Sequence, residues 1–288
     1  MFKYCLYKFG LFLLKRLPAP LSCQFGLFIS DLQYVCSFRD RRAVTNNLRK
    51  ICPPGTDVSP LAREVFRNFG RYLIEFFQMN EMVDDRFIKK KVTLQGIKNL
   101  DDVLARGKGG IMITAHLGNW ELGAVLLSVM GYSVMAVALP HKERPVNDLF
   151  NAQREAKGVT VVPTNGAMIQ CIEQLRNNGL VALVADRDFS PNGIRMEFLG
   201  CQTLIPKGTA IFSLKTGAPI VPIFLIRNAD GTFHLVCDEP IYPPLKTADI
   251  LREDMLSGLI RRYLSAIEEK IRAYPSQWLM FREFGVSP

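Results

Sequence analysis

The chain is poor in the residues that build a staple, a metal cage or a nucleotide cradle. Its seven cysteines (Cys5, Cys23, Cys36, Cys52, Cys171, Cys201, Cys237) are odd in number and scattered, with no CxxC and no Cys/His pairing. That pattern argues against a disulfide framework or a zinc site and fits reduced thiols in a cytosolic setting. Neither GxGxxG nor GxxxxGKS/T occurs, so no nucleotide cofactor is indicated. Repeats and low-complexity linkers are missing. No apolar run reaches the roughly 20 residues that a spanning helix needs. With only three histidines in 288 residues, a proton-transfer histidine has few places to be.

What is present is uneven. The first 91 residues hold 16 Lys and Arg against 8 Asp and Glu, so +8 of the formal +9 sits in the first third. Such lopsided basicity suits an anionic partner, and it equally suits solvated helix faces. Residues 1–38 intersperse apolar and aromatic clusters with Lys3, Lys8, Lys15 and Arg16, broken by Pro18-Ala19-Pro20. No small-residue cleavage site closes the segment, which argues against a signal peptide. Rings and cations in this mixture suit helices lying in a lipid headgroup region; an amphipathic pair packed on the domain is the other reading. From 39 to 91 a basic, helical prologue is expected, with Ser59-Pro60 as a start signal and Val65, Phe66, Phe69, Leu73, Phe76 and Phe77 at helical spacing.

From residue 92 the pattern changes. Short apolar strands are expected at 92–95, 111–115, 133–138, 160–162, 181–185, 195–198, 220–226 and 232–236. Helices are expected at 99–105, 120–130, 146–157, 167–177, 206–215 and 250–273. Alternation of this kind predicts an α/β fold, with a mostly parallel central sheet and helices on both faces. The expected organisation is thus an interfacial segment at 1–38 and an α/β domain at 39–288, with its core at 92–288.

One stretch concentrates the chemistry. The run Ile111-Met112-Ile113-Thr114-Ala115 ends on His116, and Leu117-Gly118-Asn119 leads into a helix opened by Trp120 and Glu121. A histidine at the carboxyl end of a buried strand sits where open α/β sheets place their sites. On a continuous helix, five steps of about 100° would leave His116 and Glu121 on different faces. They meet only if the loop folds back, which Gly118 permits and Asn119 assists as a helix cap. A carboxylate held on Nδ1 would fix the tautomer and leave Nε2 as a general base. Spacing alone also fits a structural histidine. His141 and His234 carry no supporting motif and read as structural.

His116-Leu117-Gly118-Asn119-Trp120-Glu121 resembles the His-x4-Asp/Glu motif of the glycerolipid acyltransferase superfamily, in the HxGNWE form of the late (lauroyl/myristoyl-type) lipid A acyltransferases. Further blocks resemble that family in order: Arg41-Arg42-Ala43-Val44-Thr45-Asn46-Asn47-Leu48, Arg154 with Gly158, Asp186-Arg187-Asp188, Phe198-Leu199-Gly200, and Gly217-Ala218-Pro219-Ile220-Val221-Pro222. The likeness spans nearly the whole chain. At its end, Pro275-Ser276-Gln277-Trp278 keeps the family's proline, glutamine and first aromatic, while Met280 and Arg282 replace an expected tryptophan and polar residue.

The resemblance implies acyl transfer from an acyl thioester, on acyl carrier protein or coenzyme A, to a hydroxyl of a lipid acceptor such as a lipid A precursor. It places this at the cytoplasmic face of a bacterial inner membrane, with neither metal nor cofactor and no nucleic-acid partner. It makes His116 the base and Glu121 its charge partner. Arg154 then stands to neutralise an oxyanion or a lipid phosphate; an ion pair with a nearby acid such as Glu155 is the plainer reading. Asp186 and Asp188 stand to bind acceptor groups or brace Arg187, with loop capping an equal alternative, Asn119 to cap, and Arg195 to meet a phosphate. Two other acceptor or reaction classes stay open: a lysophospholipid acyltransferase, and a metal-dependent glycosyltransferase using Asp186-x-Asp188. A member that only binds lipid is a third.

Overall fold

A computed structural model describes residues 2–16, 18–187, 193–244 and 253–285. Five helices precede the first strand: α1 (Phe2–Arg16), α2 (Ala19–Cys36), α3 (Phe38–Ile51), α4 (Ser59–Met82) and α5 (Asp85–Lys91). The α/β part follows as β1 (Val92–Gln95), α6 (Lys98–Leu104), β2 (Gly110–Thr114), α7 (Trp120–Val129), β3 (Val134–Ala138), α8 (Arg144–Glu155), β4 (Thr160–Pro163), α9 (Ala167–Arg176) and β5 (Leu180–Val184). Then come β6 (Ile194–Phe198), β7 (Cys201–Ile205), α10 (Gly208–Thr216), β8 (Ile220–Arg227), β9 (Phe233–Cys237) and α11 (Glu253–Ala273), with a 3-10 turn at Pro275–Gln277.

Seven strands form one sheet in the order β1-β9-β8-β2-β5-β3-β4, parallel except for the antiparallel β8–β9 pair. The alternating apolar residues of β2 feed two cores. Ile111 and Ile113 pack with residues of α9, α10 and α11, whereas Met112 packs with those of α6, α7 and α8. A strand buried on both faces reads as a continuous apolar run, and β2 is one from Ile111 to Ile113, with Thr114 half-buried at its end.

The hairpin β6–β7 stands apart from this sheet, with Phe198 opposite Cys201. Sequence periodicity misses β7, because Cys-Gln-Thr-Leu-Ile lacks clean alternation. The Phe198-Leu199-Gly200 block is the hairpin turn, with Leu199 and Gly200 both left-handed at φ 52° and 78°. The expected helix at 250–273 begins at Glu253 among the described residues.

The helical prologue is organised on α4. Helix α2 lies against it through a seam of small residues: Ser22 and Ser30 are buried and Gly26 lies between them. A Cβ on Gly70 would fall 2.1 Å from Ser30 Oγ, and one on Gly26 2.4 Å from Ile74 Cδ1. Asp31 ties the same helices by bidentate bonds of 2.8 Å to both Arg63 and Arg67. With its small face inward, α2 turns large apolar side chains outward. Leu21, Phe25, Phe28, Leu32 and Val35 follow one another at intervals of four and three, all exposed, with Phe28 at 65%. Phe9 and Phe12 of α1 and Phe38 of α3 are exposed as well. No described helix is long and apolar enough to cross a membrane.

Candidate active site

The register of the sheet assembles the site. Thr114 and Val184 pair at the ends of the parallel neighbours β2 and β5, and Ala185 N bonds Thr114 O at 2.9 Å. Two residues further along each strand stand His116 and Asp186. His116 Nδ1 is 2.7 Å from Asp186 Oδ1, and the His116 backbone N–H donates to Oδ2 at 3.2 Å. The indole Nε1 of Trp278 donates to the same Oδ2 at 2.8 Å. The Asp186 side chain is 0% exposed and that of His116 19%. Nδ1 is therefore turned inward onto a buried carboxylate, leaving Nε2 as the nitrogen able to act on a substrate.

Burial by itself would raise the Asp186 carboxyl. The charge and hydrogen bond of His116, the nearby Arg187 and the Trp278 N–H outweigh it and hold the group well below the usual carboxylate range. Three nitrogens thus contact its two oxygens: His116 Nδ1, the His116 backbone N and Trp278 Nε1. Among the described residues no group of three His, Cys, Asp or Glu could hold an ion.

Glu121 is elsewhere. Its carboxylate takes a fork from Arg154, Nε to Oε2 at 2.7 Å and Nη2 to Oε1 at 2.6 Å, and both side chains are 11% exposed. The expectation that Glu121 faces Nδ1 is corrected here: Asp186 has that position. The reason is local geometry. Asn119 caps α7, its Oδ1 accepting from Leu122 N at 3.0 Å, so Glu121 belongs to the helix's first turn and reaches toward α8. His116 lies before the turn and reaches toward β5. Arg154 thus pairs with a nearby acid, as its plainer reading expected, and that acid is Glu121 rather than Glu155. Its third nitrogen, Nη1, donates to Asn151 at 3.1 Å. The guanidinium lies over the rings of Phe76 and Phe150 at 5.8 and 6.0 Å. Burial would lower its pKa, but the Glu121 pair wins and raises it.

The turn between His116 and α7 is fixed from several sides. Gly118 has φ 62°, and a Cβ there would sit 2.0 Å from Leu225 O, so only glycine passes. Asn119 Nδ2 donates to Glu75 Oε2 at 2.7 Å, and Glu75 is forked by Arg227 from the end of β8. Burial raises the Glu75 carboxyl, with Arg227 and Asn119 acting against that. Trp120 stacks on Tyr72 of α4 at 4.6 Å and meets the His116 ring edge-on at 4.8 Å. A small apolar cavity of about 30 Å³ lies beside it, walled by Thr114, Trp120, Gly123, Ala124 and Leu225.

Of the remaining expected residues, Asn119 is 1% exposed and acts as a cap and tether. Arg187 donates to Leu279 O, and its buried Nε has no acceptor among the described residues. Burial lowers the Arg187 pKa, Asp186 opposes that, and Arg282 adds to it. Arg195 is exposed on the separate β6–β7 hairpin. Asp188 lies outside the described residues. Sequence reasoning missed Glu75, Arg227 and Tyr72, and met Trp278 only as part of a family block, without a role. Glu75 did carry a signal, as the lone acid within Tyr-Leu-Ile-Glu-Phe-Phe on an aromatic helix face.

The site thus consists of a histidine backed by a buried carboxylate at the carboxyl edge of a mostly parallel sheet. The class is acyltransferase: residues 1–283 match the family model described as "Bacterial lipid A biosynthesis acyltransferase", and the chain belongs to that family. It is 27% identical over 268 residues to the phosphatidylinositol mannoside acyltransferase of Mycobacterium tuberculosis (strain CDC 1551 / Oshkosh), covering 88% of this chain and 80% of that one. With the enzyme of the same description from Mycolicibacterium smegmatis it shares 26% identity over 287 residues, covering 96% and 89%. Similarity also extends to the lipid A biosynthesis lauroyltransferase of Escherichia coli (strain K12), at 24% identity over 286 residues, covering 96% and 90%.

Proposed function

We propose that this acyltransferase moves a fatty acyl chain from an acyl carrier protein or coenzyme A thioester to a sugar hydroxyl of an anionic glycolipid. A lipid A precursor is the leading acceptor; the mannoside-acylating relatives make a glycosylated phospholipid the second. The observation that carries this reading is the 2.7 Å bond between His116 Nδ1 and Asp186. With Nδ1–H held by an anion, Nε2 takes the proton of the acceptor hydroxyl as its oxygen bonds to the thioester carbonyl carbon. Collapse of the tetrahedral centre breaks the C–S bond, and the proton passes from Nε2 to the departing thiolate. Asp186 steadies the imidazolium between the two transfers, and a base of this kind contributes roughly 10²–10⁴ in rate. Glu121 and Arg154 brace the first turn of α7 behind the histidine.

The outward stripe of α2, together with Phe9, Phe12 and Phe38, supports seating on a membrane surface; the family resemblance makes that surface the cytoplasmic face of a bacterial inner membrane. Large rings exposed while small residues are buried is the arrangement of a helix whose outer neighbour is lipid. The test is lipid mass spectrometry of cells with the gene deleted and then restored as wild type or His116→Ala. One acyl chain is expected to vanish from a glycolipid on deletion and to return with wild type only. Identical lipids in all three strains refute the assignment.

A further inference from the structure

The segment after α11 does more than close the chain. Gly118 N donates to Gln277 O at 3.0 Å, and Leu279 N donates to His116 O at 2.8 Å, so residues 277–279 pair with the His116 turn as a short antiparallel strap. Gln277 is locked in place by a reciprocal pair with the Arg227 backbone, at 3.0 and 2.8 Å. Asn68 of α4 holds Ser276 O at 2.9 Å. Asn47 of α3 bonds Met280 O, Arg282 O and Phe284 N at 3.1, 2.7 and 3.1 Å. Between these anchors sits Trp278, 2% exposed, its ring edge-on to Phe284 at 5.2 Å.

The polar end of Trp278 meets a carboxylate that has a geometric task. The terminal torsion of an aspartate is broad and roughly two-fold, so backbone placement alone does not hold Oδ1 on the histidine. The indole N–H on Oδ2, beside the His116 N–H, removes that freedom. Indole is a donor only. It can hold the carboxylate in every protonation state of the site without ever taking the proton in transit.

We propose that Trp278 is a positioning residue of the acyl-transfer site, acting through Asp186 on His116, and that residues 275–284 are the strap which delivers it. The proposal rests on the acyl-transfer reading and adds a part to it. Its test is a double-mutant cycle, reading initial rates of [14C]lauroyl transfer from acyl carrier protein into total lipid of the deletion strain. Trp278→Phe keeps the ring and loses the donor, and its rate is expected to fall about tenfold, equivalent to about 1.4 kcal/mol. In an Asp186→Ala background the same change is expected to alter the rate by less than twofold, because the partner is already gone. An equal drop in both backgrounds, or no drop in either, overturns the proposal. If the phenylalanine variant fails to fold, benzothienylalanine at position 278 replaces N–H by sulfur at nearly the same shape, with the same expectations. An independent readout is ¹⁵N-histidine NMR, with His116 identified by the signal lost in His116→Ala. Water exchange of its Nδ1–H is expected to quicken at least tenfold in the Trp278 variant, and unchanged exchange refutes the positioning role. Absence of lauroyl transfer by the wild type would count against the function while leaving this NMR comparison decisive.

Discussion

Replacing Asp186 by asparagine is a nearly isosteric change whose outcome the geometry dictates. Oδ2 receives two N–H donors, from the His116 backbone and Trp278, whereas Oδ1 receives only His116 Nδ1. The single amide oxygen of asparagine is therefore drawn to the Oδ2 position, which places its NH₂ where Oδ1 was. Two N–H groups cannot face each other, so the imidazole must turn its lone pair to Nδ1 and carry its proton on Nε2. That is the tautomer unable to accept the acceptor's proton, and the anion that would steady an imidazolium is gone as well. Loss of both effects is expected to lower kcat about 10³-fold, on the order of 4 kcal/mol. Protein folded to the wild-type circular dichroism spectrum would be assayed for labelled acyl transfer. The ¹⁵N shifts of His116 would report the tautomer directly, and with three histidines in the chain the spectrum is sparse. Wild-type rates, or a His116 still protonated on Nδ1 in the variant, would refute the reasoning.

Further expectations follow from the same contacts. Glu121→Ala leaves the Arg154 guanidinium buried without its counter-ion, a loss of about 3–5 kcal/mol in folding stability measurable by urea unfolding. Replacing the pair together, Glu121→Leu with Arg154→Met, is expected to restore stability and to keep transfer within tenfold of wild type; a double variant as inactive as His116→Ala would make Glu121 a chemical participant. For the outward stripe, Phe28→Asp with Leu32→Asp is expected to abolish sedimentation with anionic vesicles while leaving the melting temperature within a few degrees, and undiminished sedimentation would disprove that contact. In acid, Asp186 titrates lower in the folded than in the unfolded chain, so its contribution is complete above about pH 4 and fades as the pH falls from there through the folded-state value. The gap in urea midpoint between wild type and Asp186→Asn should accordingly narrow from pH 6 to pH 3, and a widening gap would contradict it.

The alternation of strands and helices was legible because apolar β-branched runs and helix caps are local signals. Ile111 to Thr114 and the Asn119 cap announce themselves within a few residues. The partner of His116 does not. Asp186 lies 70 positions away and arrives through the parallel register of β2 and β5, which no spacing rule contains. Glu121 drew attention by nearness in sequence, yet the turn capped by Asn119 separates it from the ring and hands it to Arg154. Leu199 hid a hairpin because a left-handed leucine is a rare turn residue. The block from Pro275 to Trp278 stood out, but not its pairing with the histidine turn: those bonds are mostly to backbone carbonyls and amides, which leave little trace in residue type.

Helix α4 joins two of these features in one rigid piece. Its 24 residues, about 36 Å at 1.5 Å per residue, carry the Gly70 seam that clasps α2 and also Asn68, Tyr72 and Glu75, which grip the strap and the histidine turn. The outer stripe and the base are thus linked through contacts to one unbroken helix. If α2 rests on a bilayer, α4 acts as a depth gauge: the height of Nε2 above the lipid is set by side-chain packing along a single helix. Acceptors would then be sorted by how far their hydroxyl stands from the membrane before any pocket examines their shape.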